Sequence, residues 1–230
     1  MREGQLGDIQ WQYLFNIKLA IESFPYVLQG IGYTMLLSFV SMALGLVLGF
    51  FLALARTSKF RLLRWFSRIY ISFMRGVPIL VILFLLYYGF PIIGIEFTAV
   101  TAAIIGFTLN SAAFMAEICR SSISSVGKGQ WEAAASLGFS YWQTMRRIIL
   151  PQAIRIAIAP LFNVFLDLIK GTSLAAMITV PEMFQKAKIV GGREFDYMTM
   201  YILVALIYWA LCTLISFIQD YMEKRYEMDI

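Results

Sequence analysis

Between Thr34 and Ala55 the chain runs for 22 residues without a single charged side chain. A bilayer-spanning helix needs about 20 predominantly apolar residues, so this stretch is long enough to cross a membrane. Four further segments qualify or come close. The five candidate spans are Tyr26 to Ala55, Ile69 to Tyr88, Phe97 to Ala116, Ile156 to Ile169 with its flank from Ile148, and Tyr197 to Ile218. With 60% hydrophobic and only 14% charged residues and a mean hydropathy of +0.74, the chain holds more apolar surface than a soluble core of 230 residues can hide. The apolar runs are continuous, whereas lipid-facing strands alternate with period two. The expected fold class is therefore all-α and integral to the membrane, with five transmembrane helices.

Lys and Arg near the helix ends set the orientation. Arg56, Lys59, Arg61, Arg64 and Arg68 lie between the first two spans, and Arg120, Lys128, Arg146, Arg147 and Arg155 between the third and fourth. Both connections are expected in the cytoplasm. Lys224 and Arg225 agree, and the turn from Gly89 to Glu96 carries no base. Lys186, Lys188 and Arg193 dissent, although Glu182, Glu194 and Asp196 accompany them. The count predicts an N-out, C-in topology in a bacterial cytoplasmic membrane. The chain divides into an N-terminal segment (1–24), a transmembrane domain (25–222) and a short cytoplasmic tail (223–230).

The N-terminal segment contains acidic residues and has no uninterrupted apolar stretch before Phe24, so it does not read as a cleavable signal peptide. Trp11, Leu14, Phe15 and Leu19 either form one face of an interfacial helix or belong to a loosely ordered leader. The net charge of +5 follows from cytoplasmic anchoring and gives no support for nucleic-acid binding. Cys119 and Cys212 form no metal-ligand pattern and read as buried small residues. The sequence has no histidine, no phosphate-binding Gly-x-x-x-x-Gly-Lys-Ser/Thr stretch and no serine with a base partner. No catalytic apparatus, metal site or cofactor of its own is expected. An energised process would draw its energy from a partner.

The stretch KGQWEAAASLGFSYWQTMRRIILPQ, 128–152, is the least membrane-like part of the middle of the chain. Trp131 to Leu137 is made of good helix formers, and Gly138 stands where a left-handed helix-ending residue belongs. Ser140 and Gln143 have the spacing of a capping box, so a second helix is expected to start at once, carry Arg146 and Arg147, and be disturbed near Pro151. Two short helices with a sharp turn make a rigid projection. A mere connection would not need that shape, which points to a docking surface, with Ala133, Ala134 and Ala135 permitting close approach and Trp131, Phe139, Tyr141 and Trp142 as anchors. The competing reading is a helix packed on its own bundle.

Glu132-Ala133-Ala134, Gly138, Ile148 and Leu150-Pro151 resemble the EAA loop of membrane subunits of binding-protein-dependent ABC importers. Arg75-Gly76-Val77-Pro78, Ala116-Glu117-Ile118-Cys119-Arg120, Lys128-Gly129-Gln130 and Lys170-Gly171-Thr172-Ser173-Leu174 are similar to stretches of the polar amino acid permeases, and the chain looks most like cystine permeases. Asp167 and Gly171 depart from the residues that many relatives carry there. The resemblance implies a type I ABC importer permease fold, with Glu132, Ala133, Ala134, Gly138, Arg146 and Arg147 coupling to a separate ATPase that uses ATP and Mg. It also implies an extracytoplasmic substrate-binding protein and a second permease, either another copy or a related chain. The expected cargo is a polar amino acid: L-cystine first, with arginine, glutamine or histidine as alternatives.

Charges inside spans are functional candidates. Arg75 precedes Gly76 and Pro78, and the proline leaves the Met74 carbonyl without its helical partner, so a kink is expected beside a guanidinium. Asn163 and Asp167 share a face of the fourth span, with Lys170 and Thr172 at its end. Together Arg75 for carboxylate, Asp167 for ammonium and Asn163 for orientation, with Thr172 nearby, suit a zwitterion. Alternatively Arg75 pairs with Asp167 or with Glu117 to neutralise charge. Gly45 and Gly49 permit close helix contact, Glu117 and Arg120 are spaced to pair, and Phe84 to Phe90 suits an interface lining or an outer gate. A passive gated channel is the rival from another class, and it leaves the loop at 128–152 unexplained.

Overall fold

The computed structural model describes residues 14–227, and every regular element among them is helical. A short helix α1 (Ile17–Leu28) is followed by α2 (Ile31–Thr57), α3 (Arg61–Gly76), α4 (Ile79–Phe84) and α5 (Ala99–Ser125). The second half contains α6 (Lys128–Ser136), α7 (Tyr141–Thr144), α8 (Leu150–Gly171), α9 (Met183–Glu194) and α10 (Tyr197–Glu227). Four helical stretches are long and apolar enough to cross a membrane: 31–57, 99–125, 141–178 and 197–225. A fifth crossing requires α3 and the helical run 79–93 to count as one span, and these meet at 102°.

The first expected span is broken near its start, because Tyr26 to Leu28 belong to α1, and α2 begins only after Gly30. Trp11 lies outside the described residues. Leu14 and Phe15 precede α1 instead of forming its face, and Asn16 caps the helix by accepting from the Leu19 amide at 3.1 Å. Phe15 and Leu19 pack against α9 and α10, while Ile17, Ile21 and Phe24 are exposed. The expected kink in the second span is a near right-angle bend at Gly76-Val77-Pro78.

The α2–α5 pair forms the main helix packing, and its residues are small. Lipid is as apolar as leucine, so burial in lipid gives little drive for helix association, and close packing decides which faces meet. Gly45 and Gly49 are buried against α5; a Cβ at Gly49 would stand 2.9 Å from the Ala112 carbonyl oxygen. From α5, Ala112, Ala113 and Ala116 are fully covered. α8 packs on the same pair, and α4 with the turn that follows it closes over Ala102, Ala103 and Gly106 through Leu83 and Leu86. A separate cluster joins α1, α9 and α10 through Val27, Met183, Ala187 and Met200. Cys119 and Cys212 are only half-buried, at the edges of apolar clusters.

Residues 145–149 between α7 and α8 form a π turn, in which the Leu150 amide reaches back to the Met145 carbonyl. Its cause is Pro151, which has no N–H for the Arg147 carbonyl and would crowd it in a regular α-turn. The expected disturbance therefore lies on the N-terminal side of the proline, and the helix continues through it.

Candidate functional site

α6 projects from the bundle, and its end is built by local hydrogen bonding. Gly138 is left-handed, with φ of 76°. The Phe139 amide donates to the Ala134 carbonyl at 3.1 Å and the Gly138 amide to that of Ala135 at 2.9 Å, the double closure of a Schellman motif. Two residues later the capping box forms: the Gln143 amide donates to the Ser140 hydroxyl at 3.4 Å, and the Ser140 amide donates to Gln143 Oε1 at 2.8 Å. Nearly every turn-forming group is thus satisfied within a dozen residues, which makes the projection stiff.

The exposed surface differs from the expected one in three residues. Glu132, Ala133, Gly138, Arg146 and Arg147 are exposed, but Ala134 is buried beneath α6 and cannot meet another surface directly. Trp131 is turned half inward, stacks on Tyr141 at 5.8 Å and packs beside Val126 and Ile149. Phe139 is half-buried as well. The freely presented apolar groups are Leu137, Tyr141 and Trp142, exposed by 73%, 62% and 75%. Leu137 had no signal of its own in the sequence, since a leucine before a helix-ending glycine reads equally well as core.

On the opposite arm of the bundle, the bend after α3 is held by a residue that sequence reasoning did not single out. Pro78 frees the Met74 carbonyl, and Asn110 Nδ2 on α5 donates to it at 2.7 Å. Asn110 also lines a cleft of about 210 Å³ with Phe107, Ser111, Phe114, Asp167 and Gly171. Asp167 pairs with Lys170 at 2.8 Å, both side chains being exposed, and Asn163 is exposed one turn earlier on the same face. An exposed pair of this kind is cheap to exchange for another cation.

Arg75 does not join Asp167. Its guanidinium lies 5.4 Å from the centre of the Phe114 ring and lines a second, polar cleft of about 460 Å³ with Arg56, Arg68, Ser72, Phe114 and Glu117. Among the described residues Arg75 makes no ion pair, so neither expected neutralising partner is used. Glu117 is instead held by Arg120, as its spacing suggested, and by Arg56 from the end of α2. Arg75 and Asp167 thus line two adjoining clefts that share Phe114, where the sequence suggested that they act together on one zwitterion.

Thr172 lies off both clefts. It is fully buried, donates to the Ile169 carbonyl at 2.7 Å and lies 3.3 Å from the Tyr208 hydroxyl. Tyr208 donates to Glu182 at 2.6 Å. Glu182, wholly covered, caps α9 by accepting from the Phe184 and Gln185 amides at 2.8 and 2.6 Å. Burial pushes the Glu182 carboxyl up from the ordinary range, against the pull of its donors. The group is structural, joining α8, α9 and α10. In the expected gate region, Tyr87 and Phe90 pack into the core, while Tyr88 is exposed and donates to the Met177 carbonyl at 3.3 Å.

Residues 45–228 match the family described as binding-protein-dependent transport system inner membrane component. The chain belongs to this family. It is 72% identical over 221 residues to the probable amino-acid ABC transporter permease protein YckA of Bacillus subtilis (strain 168), covering 96% of this chain and 98% of that one. Identity to the L-cystine transport system permease protein TcyB of the same organism is 46% over 202 residues, covering 87% of this chain and 86% of that one. The crystal structure of an amino acid ABC transporter with histidines superposes with a TM-score of 0.86 at 32% identity, covering 89% of this chain and 96% of that chain. The protein is thus an amino-acid ABC transporter permease, a transport component of the inner membrane with the ABC importer permease fold, and membership of the family implies ATPase and substrate-binding partners.

Proposed function

We propose that this permease carries a polar amino acid, specifically L-cystine, into the cytoplasm, driven by ATP and Mg used on a separate ATPase subunit. The observation that carries the coupling half of this reading is the α6–α7 projection. Its Schellman closure and capping box stiffen a small exposed surface, formed by Glu132, Ala133, Leu137, Gly138 and Trp142, at the end that the charge count places in the cytoplasm. A lever of this kind transmits motion if it is rigid, whatever its affinity. Arg146 and Arg147 lie exposed on the π turn directly behind it and would flank the ATPase groove.

The cargo half rests on the two clefts and on the 46% identity to the relative named for L-cystine. Asp167, with Asn163 a turn away, would receive an ammonium group by exchange with Lys170, and Arg75 a carboxylate. A substrate-binding protein would deliver the amino acid at the N-terminal side of the membrane. A second permease subunit, most simply another copy, would complete the passage. Uptake of labelled L-cystine by cells carrying the permease with its partners, competed by unlabelled arginine, glutamine, histidine and glutamate, tests the cargo. Resistance to all four supports L-cystine. Displacement by any one of them discards L-cystine as the specific cargo.

A further inference from the structure

Six bases stand between Glu22 and Glu96, namely Arg56, Lys59, Arg61, Arg64, Arg68 and Arg75, and no Asp or Glu lies among them. The carboxylate that reaches this group from α5, Glu117, is already engaged by Arg56 and Arg120. Arg64 turns back to donate to the Ser58 carbonyl at 3.3 Å and so shapes the corner between α2 and α3. Lys59, Arg61 and Arg68 make no ion pair among the described residues. The anion that matches this corner therefore comes from outside the bundle.

The corner is also apolar where the bundle does not cover it. α3 packs on α2 and α5 through Ser67, Ile71 and Met74, which leaves its first two turns clear of the bundle. Phe60, Leu62, Leu63, Trp65 and Phe66 are all exposed. Successive helical residues are about 100° apart, so the four on α3 spread over nearly half of its circumference, while Arg61, Arg64 and Arg68 share the opposite side. A rigid protein partner meets one side of a helix, whereas a fluid boundary meets all of them. Bulk water would leave the aromatic groups bare, and the hydrocarbon core would strip the bases of their solvation. The boundary between acyl chains and headgroups suits both, with an anionic headgroup supplying the charge.

We propose that the α2–α3 corner is a binding site for an anionic phospholipid, in which Lys59 and Arg61 hold the headgroup phosphate and Leu62, Trp65 and Phe66 rest against the acyl chains. Phosphatidylglycerol offers a phosphate with no cation of its own, whereas that of phosphatidylcholine is already accompanied by a choline ammonium. The charge count puts this corner in the cytoplasm, so the site takes lipid of the inner leaflet. α3 continues from the corner to Arg75 and the bend at Pro78, so the bound lipid anchors the arm that lines the arginine cleft.

The test is quenching of tryptophan emission in the purified permease–ATPase complex, held in phosphatidylcholine discs that contain an equal minor share of either brominated phosphatidylglycerol or brominated phosphatidylcholine. The difference between the unaltered complex and Trp65→Phe isolates Trp65 from the other tryptophans. Brominated phosphatidylglycerol is expected to quench Trp65 about threefold or more above brominated phosphatidylcholine, since each base near an anionic surface favours it by more than thermal energy. Lys59→Gln with Arg61→Gln is expected to remove that preference, and Lys59→Arg with Arg61→Lys to keep it. Lys224→Gln with Arg225→Gln, which removes an equal charge from the last turn of α10, is expected to leave it unchanged. Equal quenching by the two lipids overturns the proposal, because the corner then meets lipid without choosing its charge. Equal loss in the α10 variant overturns it too, since the preference then belongs to net charge. Absence of Trp65 quenching by either lipid means that a protein surface, another permease or the ATPase, covers the corner, and likewise overturns it. Quenching requires neither ATP nor an amino acid, so these outcomes leave the importer reading to the uptake experiment.

Discussion

Glu182 accepts from two backbone amides and from the Tyr208 hydroxyl, so a single buried carboxylate fixes the start of α9 to the middle of α10. Removing an acceptor strands its donors, and a buried unsatisfied group costs about 1–3 kcal/mol. Glu182→Ala is expected to lower stability by about 3 kcal/mol and Tyr208→Phe by about 1 kcal/mol, read from thermal unfolding of the purified complex. Asn110 is the corresponding case beside the route. Asn110→Ala and Asn110→Asp both remove the donor to the Met74 carbonyl, and each is expected to cut uptake about tenfold or more while the subunit still assembles; retention of full uptake shows that the bend needs no such support. Arg75 and Pro78 were legible in the sequence because proline acts on its own turn. Asn110 was not, since it is 36 residues from the carbonyl it satisfies and nothing local marks it. The surroundings of Thr172 were hidden for the same reason: its place at a span's end suggested the route, and its neighbour Tyr208 is on another helix.

At the scale of elements, the α6–α7 projection was the most readable part. Helix-ending glycine and capping box are written within three or four residues of one another, so sequence spacing and hydrogen bonding coincide. Gly138→Ala meets no neighbouring atom but must hold a φ of 76°, which costs about 1 kcal/mol in strain. It is expected to reduce capture of the ATPase by the permease, and Gly138→Pro to abolish both capture and uptake; unchanged capture in Gly138→Pro contradicts the docking role. Other elements were hidden. α9 lies in the stretch between the last two spans whose Lys186, Lys188 and Arg193 dissented from the charge count, and its cap depends on a glutamate that long-range packing covers. The second span read as kinked, yet a 102° bend depends on what α5 offers the freed carbonyl.

Across the whole molecule, the spans came from hydropathy alone, and their arrangement from small residues that let α2 and α5 touch. Gly49→Val brings its Cβ to 2.9 Å from the Ala112 oxygen and Met115 Cβ, and is expected to destabilise the bundle by about 1–3 kcal/mol and lower the folded yield in membranes. The same packing leaves α6 at one end and both clefts on the α3–α5–α8 side, so that a push on the projection can reach the route through α5 and α8. The measurement that tests this most directly is uptake of labelled L-cystine by cells carrying the permease with its binding protein and either the active ATPase or one disabled in hydrolysis. Uptake that requires the active ATPase is the expected result. Flux of equal size through the permease with the disabled ATPase would contradict it and return the chain to the class of passive channels.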